Sequence, residues 1–221
     1  MLDTIPFSDF SDLLSSRLSQ PLPGQVAQFQ MAPLARRQPE MASVEAKTCR
    51  EAGVMALFYP DPDGLPHLLL TRRPDAMKKH AGQIAFPGGR REEHESLEEA
   101  ALRETEEEVL IPAVRIDVLG ALSSLYIPPS NFCVHPFVGC IDFTPDLDVR
   151  TEEVAEAFGV RPHLLVDPAY RTAEPLVVGG QERMVPFFRL GNHRVWGATA
   201  MMMAELAAIL DPLVLEWESL V

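Results

Sequence analysis

The stretch FPGGRREEHESLEEAALRETEEEVLIP, residues 86–112, decides how the rest of the chain is read. Ser96 followed by Glu99 makes a capping box, so the spacing predicts a helix from about Ser96 to Val109. Pro112 keeps Ile111 out of the α region, and the helix is expected to run slightly past Leu110 and stop there. Glu104, Glu107 and Glu108 lie three and four residues apart and share one helix face. Like charges so placed repel by roughly a few tenths of a kcal/mol per pair. A solvated charged face explains most glutamate runs. A hard divalent cation is the other explanation, because Mg²⁺ or Mn²⁺ takes carboxylate oxygens and keeps waters for substrate phosphates. Gly88 and Gly89 directly precede the helix, so the backbone there can approach a ligand closely and leave a carbonyl free. Arg103, four before Glu107, can pair with it and fix that carboxylate.

Charge changes sign at the start of this stretch. Residues 71–91 set six basic side chains against Asp75, a net +5, while residues 92–108 set nine glutamates against Arg103, a net −8. The whole chain, 221 residues with net charge −13, is a poor general binder of nucleic acid or anionic membrane, since both need clustered Lys and Arg. Its 47% hydrophobic content is ordinary for a globular domain. Residues 118–141 lack Asp, Glu, Lys and Arg, but Pro128, Pro129, Pro136, Asn131 and His135 would break and hydrate a spanning helix. That segment reads as buried strand and loop. The N-terminus has no basic and apolar leader, and Cys49, Cys133 and Cys140 are odd in number without metal spacing. They read as free thiols in a reducing, cytoplasmic setting.

Gly89, Glu95, Arg103, Glu104, Glu107 and Glu108 fit G-x5-E-x7-R-E-x-x-E-E. This resembles the signature of the Nudix hydrolase family. The resemblance implies an α/β/α sandwich with a mixed β-sheet, whose loop–helix–loop binds Mg²⁺ or Mn²⁺ and whose reaction cleaves a diphosphate linked to another moiety. By position it makes Glu104, Glu107 and Glu108 metal ligands with the Gly88 carbonyl, and has Arg103 and Glu95 orient the carboxylates. Glu104, Glu107, Glu108 and Arg103 are then the catalytic set. One position departs: the family usually has glycine where Leu110 stands.

Upstream, LLTRRPDAMKKHAGQIAFPGG (69–89) is similar to the extra motif of the coenzyme A pyrophosphatase branch. Leu69, Leu70, Thr71, Arg73, Gly82 and Phe86 through Gly89 match; Pro74 and Lys78 replace a small residue and an arginine. Arg73, Lys78 and Gly82 are the substrate-binding candidates, the two cations because a polyphosphate wants such donors beside the metal. Lys78 keeps the charge and loses the bidentate fork. The alternative is a set of solubilising surface bases.

Elsewhere, residues 8–19 read as an amphipathic helix and 20–50 as an extended arm, so residues 1–50 are expected to pack on a hydrolase domain spanning 51–221. Residues 53–59 and 67–73 read as a hairpin around PDPDG; 114–123, 132–141, 175–180, 183–188 and 194–196 read as strands; 198–210 is a closing helix. Residues 152–160 are open between helix and strand. YIPPSN (126–131) is either a substrate wall or a buried connection. Met201–Met203 read as core filling, His80 and His135 as structural histidines, and Trp196 and Trp217 as packing residues, with a homodimer contact as one place for them. Glu152 and Glu153 read as loop acids before base or ligand. Three functions follow: a coenzyme A-type diphosphatase, a diphosphatase for another nucleotide derivative (ADP-ribose, NADH or a dinucleotide polyphosphate), and a catalytically silent binding module. The partner is in each case a small diphosphate-linked molecule.

Overall fold

The computed structural model describes the chain except residues 1, 3, 39–42, 46, 77–80, 179 and 221, and the side chains of 35, 178, 181 and 213–220. Strands β1 (Arg50–Pro60) and β2 (Pro66–Arg72) form the expected hairpin, with Phe58 opposite Leu68. The Asp61 carboxylate holds the turn by accepting the N–H groups of Asp63 and Leu65, each at 2.9 Å. A mixed sheet grows from this pair. Its spine runs β3 (Ile84–Ala85), β2, β1, β7 (Phe132–Cys140), β5 (Asp117–Ala121), with β4 (Gly88–Arg90) on β1, β6 (Leu125–Ile127) on β7 and β8 (Glu156–Val160) on β2. Among the described residues only β1 and β7 run parallel. Residues 152–160 thus resolve as a turn followed by a strand.

Period-two burial along β1 sends Met55, Leu57 and Tyr59 to one face and Ala56 and Phe58 to the other. On the first face lies α3 (Leu97–Val109), packing Ala101 and Val109 onto the sheet. On the second lie α1 (Phe7–Leu18), through Phe10 and Leu14, the one-turn α4 (His163–Val166), through Leu165, and α5 (Gly197–Leu220), through Met201–Met203, Leu206 and Leu210. Each such fully buried Leu, Met or Phe contributes about 1.5–3 kcal/mol of burial. The result is a helix–sheet–helix sandwich. A three-stranded antiparallel sheet, β9 (Arg171–Val178), β10 (Gln181–Leu190) and β11 (His193–Trp196), extends it. Gly53 sets how closely α3 approaches: a Cβ there would run into the Leu97 carbonyl and Ala101 N.

The arm is not extended. It folds through α2 (Gln25–Gln28) and 3₁₀ turns at Phe29–Met31 and Leu34–Arg36, because Ala27, Met31 and Ala32 bury against α5 and the sheet. The cysteine reading also needs correcting. Parallel pairing of β1 with β7 brings Cys49 to Cys133, and the two form a disulfide with Cα atoms 5.7 Å apart; Cys140 is the free thiol. His135 is hydrogen-bonded, its Nδ1 2.9 Å from Ser124 Oγ. Residues 118–141 form β5, β6 and β7, and among the described residues no helix is long and apolar enough to cross a membrane. Lys78, His80 and the side chain of Trp217 lie outside the described residues.

The exit of α3 differs from expectation. The helix ends at Val109, and Leu110 itself adopts the left-handed conformation, φ 58° and ψ 25°. Its N–H still donates to Glu106 O at 2.9 Å, while the Glu106 carboxylate accepts Ala113 N–H at 2.9 Å. Burial of Ile111 and Ile116 fixes the path beyond, so the chain turns where glycine would turn it and carries the cost. Leu110 is 66% exposed, so glycine there forfeits no core packing. Leu110→Gly is expected to raise stability by about 0.5 kcal/mol, the roughly 1 kcal/mol of relieved strain being partly offset by chain entropy. A higher urea midpoint at unchanged slope checks this.

Candidate active site

Ser96 begins the site helix as the spacing requires: its Oγ accepts Glu99 N–H at 3.1 Å and Glu99 returns a bond to Ser96 N–H at 2.7 Å. Those bonds hold the Glu99 carboxyl below the usual carboxylate range. One turn on, Arg103 gathers the acids around it. It grips Glu95 bidentately (Nε–Oε2 3.0 Å, Nη2–Oε1 2.9 Å), meets Glu104 Oε1 at 2.9 Å, and touches Glu107 at 3.4 Å. Its Nη2 also donates to Arg90 O at 3.2 Å. The grip of Arg103, with the Glu92 N–H at 2.6 Å, lowers the Glu95 pKa, and Arg103 is itself raised, chiefly by Glu95. Arg103 therefore links Glu95 to Glu104.

Glu104 and Glu108 are more buried than the exposed Glu107. Burial raises the Glu104 pKa, with Arg103 opposing and Glu107 and Glu153 adding. Glu108 is 5% exposed and its pKa is pushed up to about 8, by burial first and then by Glu104 and Glu153, against the opposing Arg73 and Gly88 N–H. Gly89 makes room for this: a Cβ there would occupy the place of the Glu104 carboxylate. Arg73, just after β2, is partly buried and lies 3.4 Å (Nη2) from Glu153 Oε2. Gly82 takes φ +65° in the loop leading to β3, against the Asp75 carboxylate that also binds Arg72 at 2.8 Å.

A cavity of about 950 Å³ opens beside Glu104 and Glu95, with Cys49, Arg50, Glu51 and Arg91 among its walls. Glu51 and Arg91 pair across it at 2.6 Å. The YIPPSN loop reaches this cavity only indirectly, Ser130 O accepting from the Arg50 guanidinium that lines it.

Among the described residues no three acids already converge at metal-binding distances. Arg103 draws Glu104 and Glu107 toward itself. The donor set nonetheless fits a hard cation: Glu108 is a buried carboxylate with no bonded cationic side chain among the described residues, and Glu104 is half-desolvated beside the glycine pair. Sequence reasoning grouped Glu104, Glu107, Glu108, Arg103, Glu95 and Gly88; in the structure Arg103 contacts Glu95, Glu104 and Glu107, and the Gly88 N–H meets Glu108. It undervalued Glu153, which acts on both Glu104 and Glu108 across 45 to 49 residues of sequence. The signal was available only as an acid just ahead of a strand that pairs with β2.

A mixed-sheet α/β/α sandwich with a glycine-led carboxylate helix on one face defines the class of fold. The NUDIX domain family matches residues 50–177, more than half of the chain, and the chain belongs to that family. It is a Nudix pyrophosphohydrolase, of a family that works on small nucleoside-diphosphate-linked substrates with divalent metal ions. A protein of Yersinia enterocolitica named uncharacterized Nudix hydrolase NudL is 35% identical over 198 residues, 89% of this chain and 97% of its own. A namesake from Yersinia pestis is 38% identical over 161 residues, 72% and 79% of the two chains. Of solved structures, RenU, a Nudix hydrolase from M. Smegmatis, is 17% identical, covering 74% of this chain and 87% of its own, with TM-score 0.49. The MutT protein from Methanosarcina mazei Go1 is 19% identical, covering 76% and 99%, also at TM-score 0.49.

Proposed function

We propose that this protein hydrolyses the diphosphate of coenzyme A or its acyl derivatives, giving 4′-phosphopantetheine (or its acyl form) and 3′,5′-ADP. The observation that carries the reading is the LLTRR…G…FPGG segment: Arg73 at its start acts on the Glu108 that its Gly88 touches. A phosphate lying against Glu104 and Glu108 therefore meets Arg73 beside it and the glycine backbone beneath it.

Glu104, Glu107 and Glu108, with the Gly88 carbonyl, would hold Mg²⁺ or Mn²⁺. Such an ion, when bound, neutralises phosphate charge and lowers the pKa of the attacking water. Glu104 would be the candidate to take that water's proton when its carboxylate is not fully engaged as a ligand. Arg103, held by Glu95, orients Glu104 and Glu107. Arg73 and Lys78 bind phosphate oxygens, and Gly82, which follows them, permits the turn into β3. Such a small-molecule hydrolase needs neither nucleic acid nor membrane. The cytoplasmic reading loses one of its grounds, the free thiols, to the Cys49–Cys133 pair.

The test is turnover of coenzyme A, an acyl-coenzyme A, ADP-ribose, NADH and a dinucleotide polyphosphate with Mg²⁺ and with Mn²⁺, products identified by mass. Coenzyme A and its acyl form should lead. Far higher turnover of ADP-ribose or the dinucleotide polyphosphate overturns the assignment.

A further inference from the structure

Cys49 stands on the wall of the active-site cavity, which it shares with Glu104, Arg50 and Arg90. It is partly exposed there, whereas its disulfide partner Cys133 is 1% exposed inside β7. A molecule entering the cavity therefore has access to the Cys49 side of the pair. The backbone keeps Cys49 in place independently of that bond. Arg50 N–H donates to Asn131 O at 2.9 Å, and Asn131 Nδ2 donates to Thr48 O at 3.3 Å. Both neighbours of Cys49 are thus tied to the chain two residues ahead of Cys133. Parallel pairing then continues from Arg50 opposite Phe132 to Phe58 opposite Cys140. With the S–S bond open, the two cysteines stay side by side.

We propose that Cys49 is a site of thiol–disulfide exchange for a thiol held in this cavity. The ligand class is a low-molecular-weight thiol that carries phosphate; coenzyme A is such a thiol, and that identification rests on the reading above. The ligand's thiolate attacks Cys49 Sγ, forming an S–S bond to it. The Cys49–Cys133 bond breaks, and its electron pair leaves on Cys133 Sγ. The proton given up by the entering thiol ends on Cys133, so the exchange balances without an added oxidant. Arg50 and Arg90, which have no carboxylate partner among the described residues, are the cations of that wall for the phosphates. Docking there raises the concentration of thiol at Cys49 above its value in solution. The joined ligand occupies the cavity beside Glu104 until Cys133, still adjacent, attacks the mixed disulfide and expels it.

Protein with the pair formed, incubated without air with reduced coenzyme A and Mg²⁺, tests this by intact mass and peptide mapping. One adduct is expected on Cys49, of coenzyme A or of its phosphopantetheine half. It should form at least about tenfold faster than the adduct of pantetheine, the same thiol without phosphates. Excess ADP should slow it toward the pantetheine rate. Cys49→Ser should take no adduct. Cys133→Ala should take none either, because its Cys49 is a lone thiol with no S–S bond to attack, while Cys140→Ser should behave as wild type. No adduct, an adduct on Cys133 or Cys140, equal rates with coenzyme A and pantetheine, or a pair that never forms overturns the proposal. Selective exchange in a protein that does not cleave coenzyme A keeps the proposal and strikes the substrate reading, so the two fail separately.

Discussion

Glu108→Gln should lower metal-dependent turnover by at least about a hundredfold and leave the fold intact, an effect on the barrier of roughly 3 kcal/mol. The amide keeps the shape of a side chain that is 5% exposed, so packing against the sheet survives, but it carries no charge to hold a cation. Stability supplies a second readout that activity does not. Burial raises the Glu108 pKa to about 8, above its ordinary value, so the folded, metal-free protein holds a proton there that the unfolded chain gives up. That contribution is fully present below the ordinary carboxylate pKa and is lost as pH rises toward 8. Metal-free Glu108→Gln should therefore match wild type near pH 5 and melt higher than wild type near pH 8. The difference between the two proteins isolates Glu108 from Glu104, which is also raised, and from Glu95 and Glu99, which are lowered. Adding Mn²⁺ at pH 8 should reverse the order, because only wild type gains binding free energy. Melting curves at both pH values check the sign, and unchanged hydrolysis in the variant removes Glu108 from the site.

How much of this was legible depended on how local each signal is. The capping box at Ser96, the shared face of Glu104, Glu107 and Glu108, and the β1–β2 hairpin are set by residues within a few positions of one another, and all are present. The Cys49–Cys133 pair was not legible, because it requires knowing that β7 lies parallel to β1 across 84 residues. Glu153 was undervalued for the same reason. Leu110 misled in another way: propensity argues against a left-handed leucine, yet the buried Ile111 and Ile116 on the far side outweigh about 1 kcal/mol of strain. The arm was misjudged because its prolines suggested extension, while its buried Ala27, Met31 and Ala32 supply the reason it folds back.

Glu205→Ala should cost about 3–5 kcal/mol, although Glu205 touches nothing in the candidate site. It sits in ATAMMMAELAAIL, residues 198–210, a stretch with one acid among apolar and small residues, and in the structure it is fully buried. Its carboxylate accepts Gly24 N–H at 3.0 Å, Gln28 Nε2–H at 2.9 Å and Ser123 N–H at 3.2–3.3 Å. One side chain of α5 thereby satisfies donors from the arm and from the link between β5 and β6. Gln28 Nε2 also donates to Ser123 O at 3.0 Å, which closes the network. Truncation to alanine leaves three donors, one buried and two part-buried, without that acceptor and a void beside them, and each orphaned donor costs up to about 1–3 kcal/mol before relaxation. Glu205→Gln is the informative control: it fills the void, but its NH₂ must face a donor, so its cost should be smaller, about 1–3 kcal/mol. Urea unfolding of both variants at one pH gives the two costs, and turnover per folded molecule should stay near that of wild type. A loss below about 1 kcal/mol in Glu205→Ala would mean that water replaces the carboxylate and that the arm is held by its apolar contacts alone.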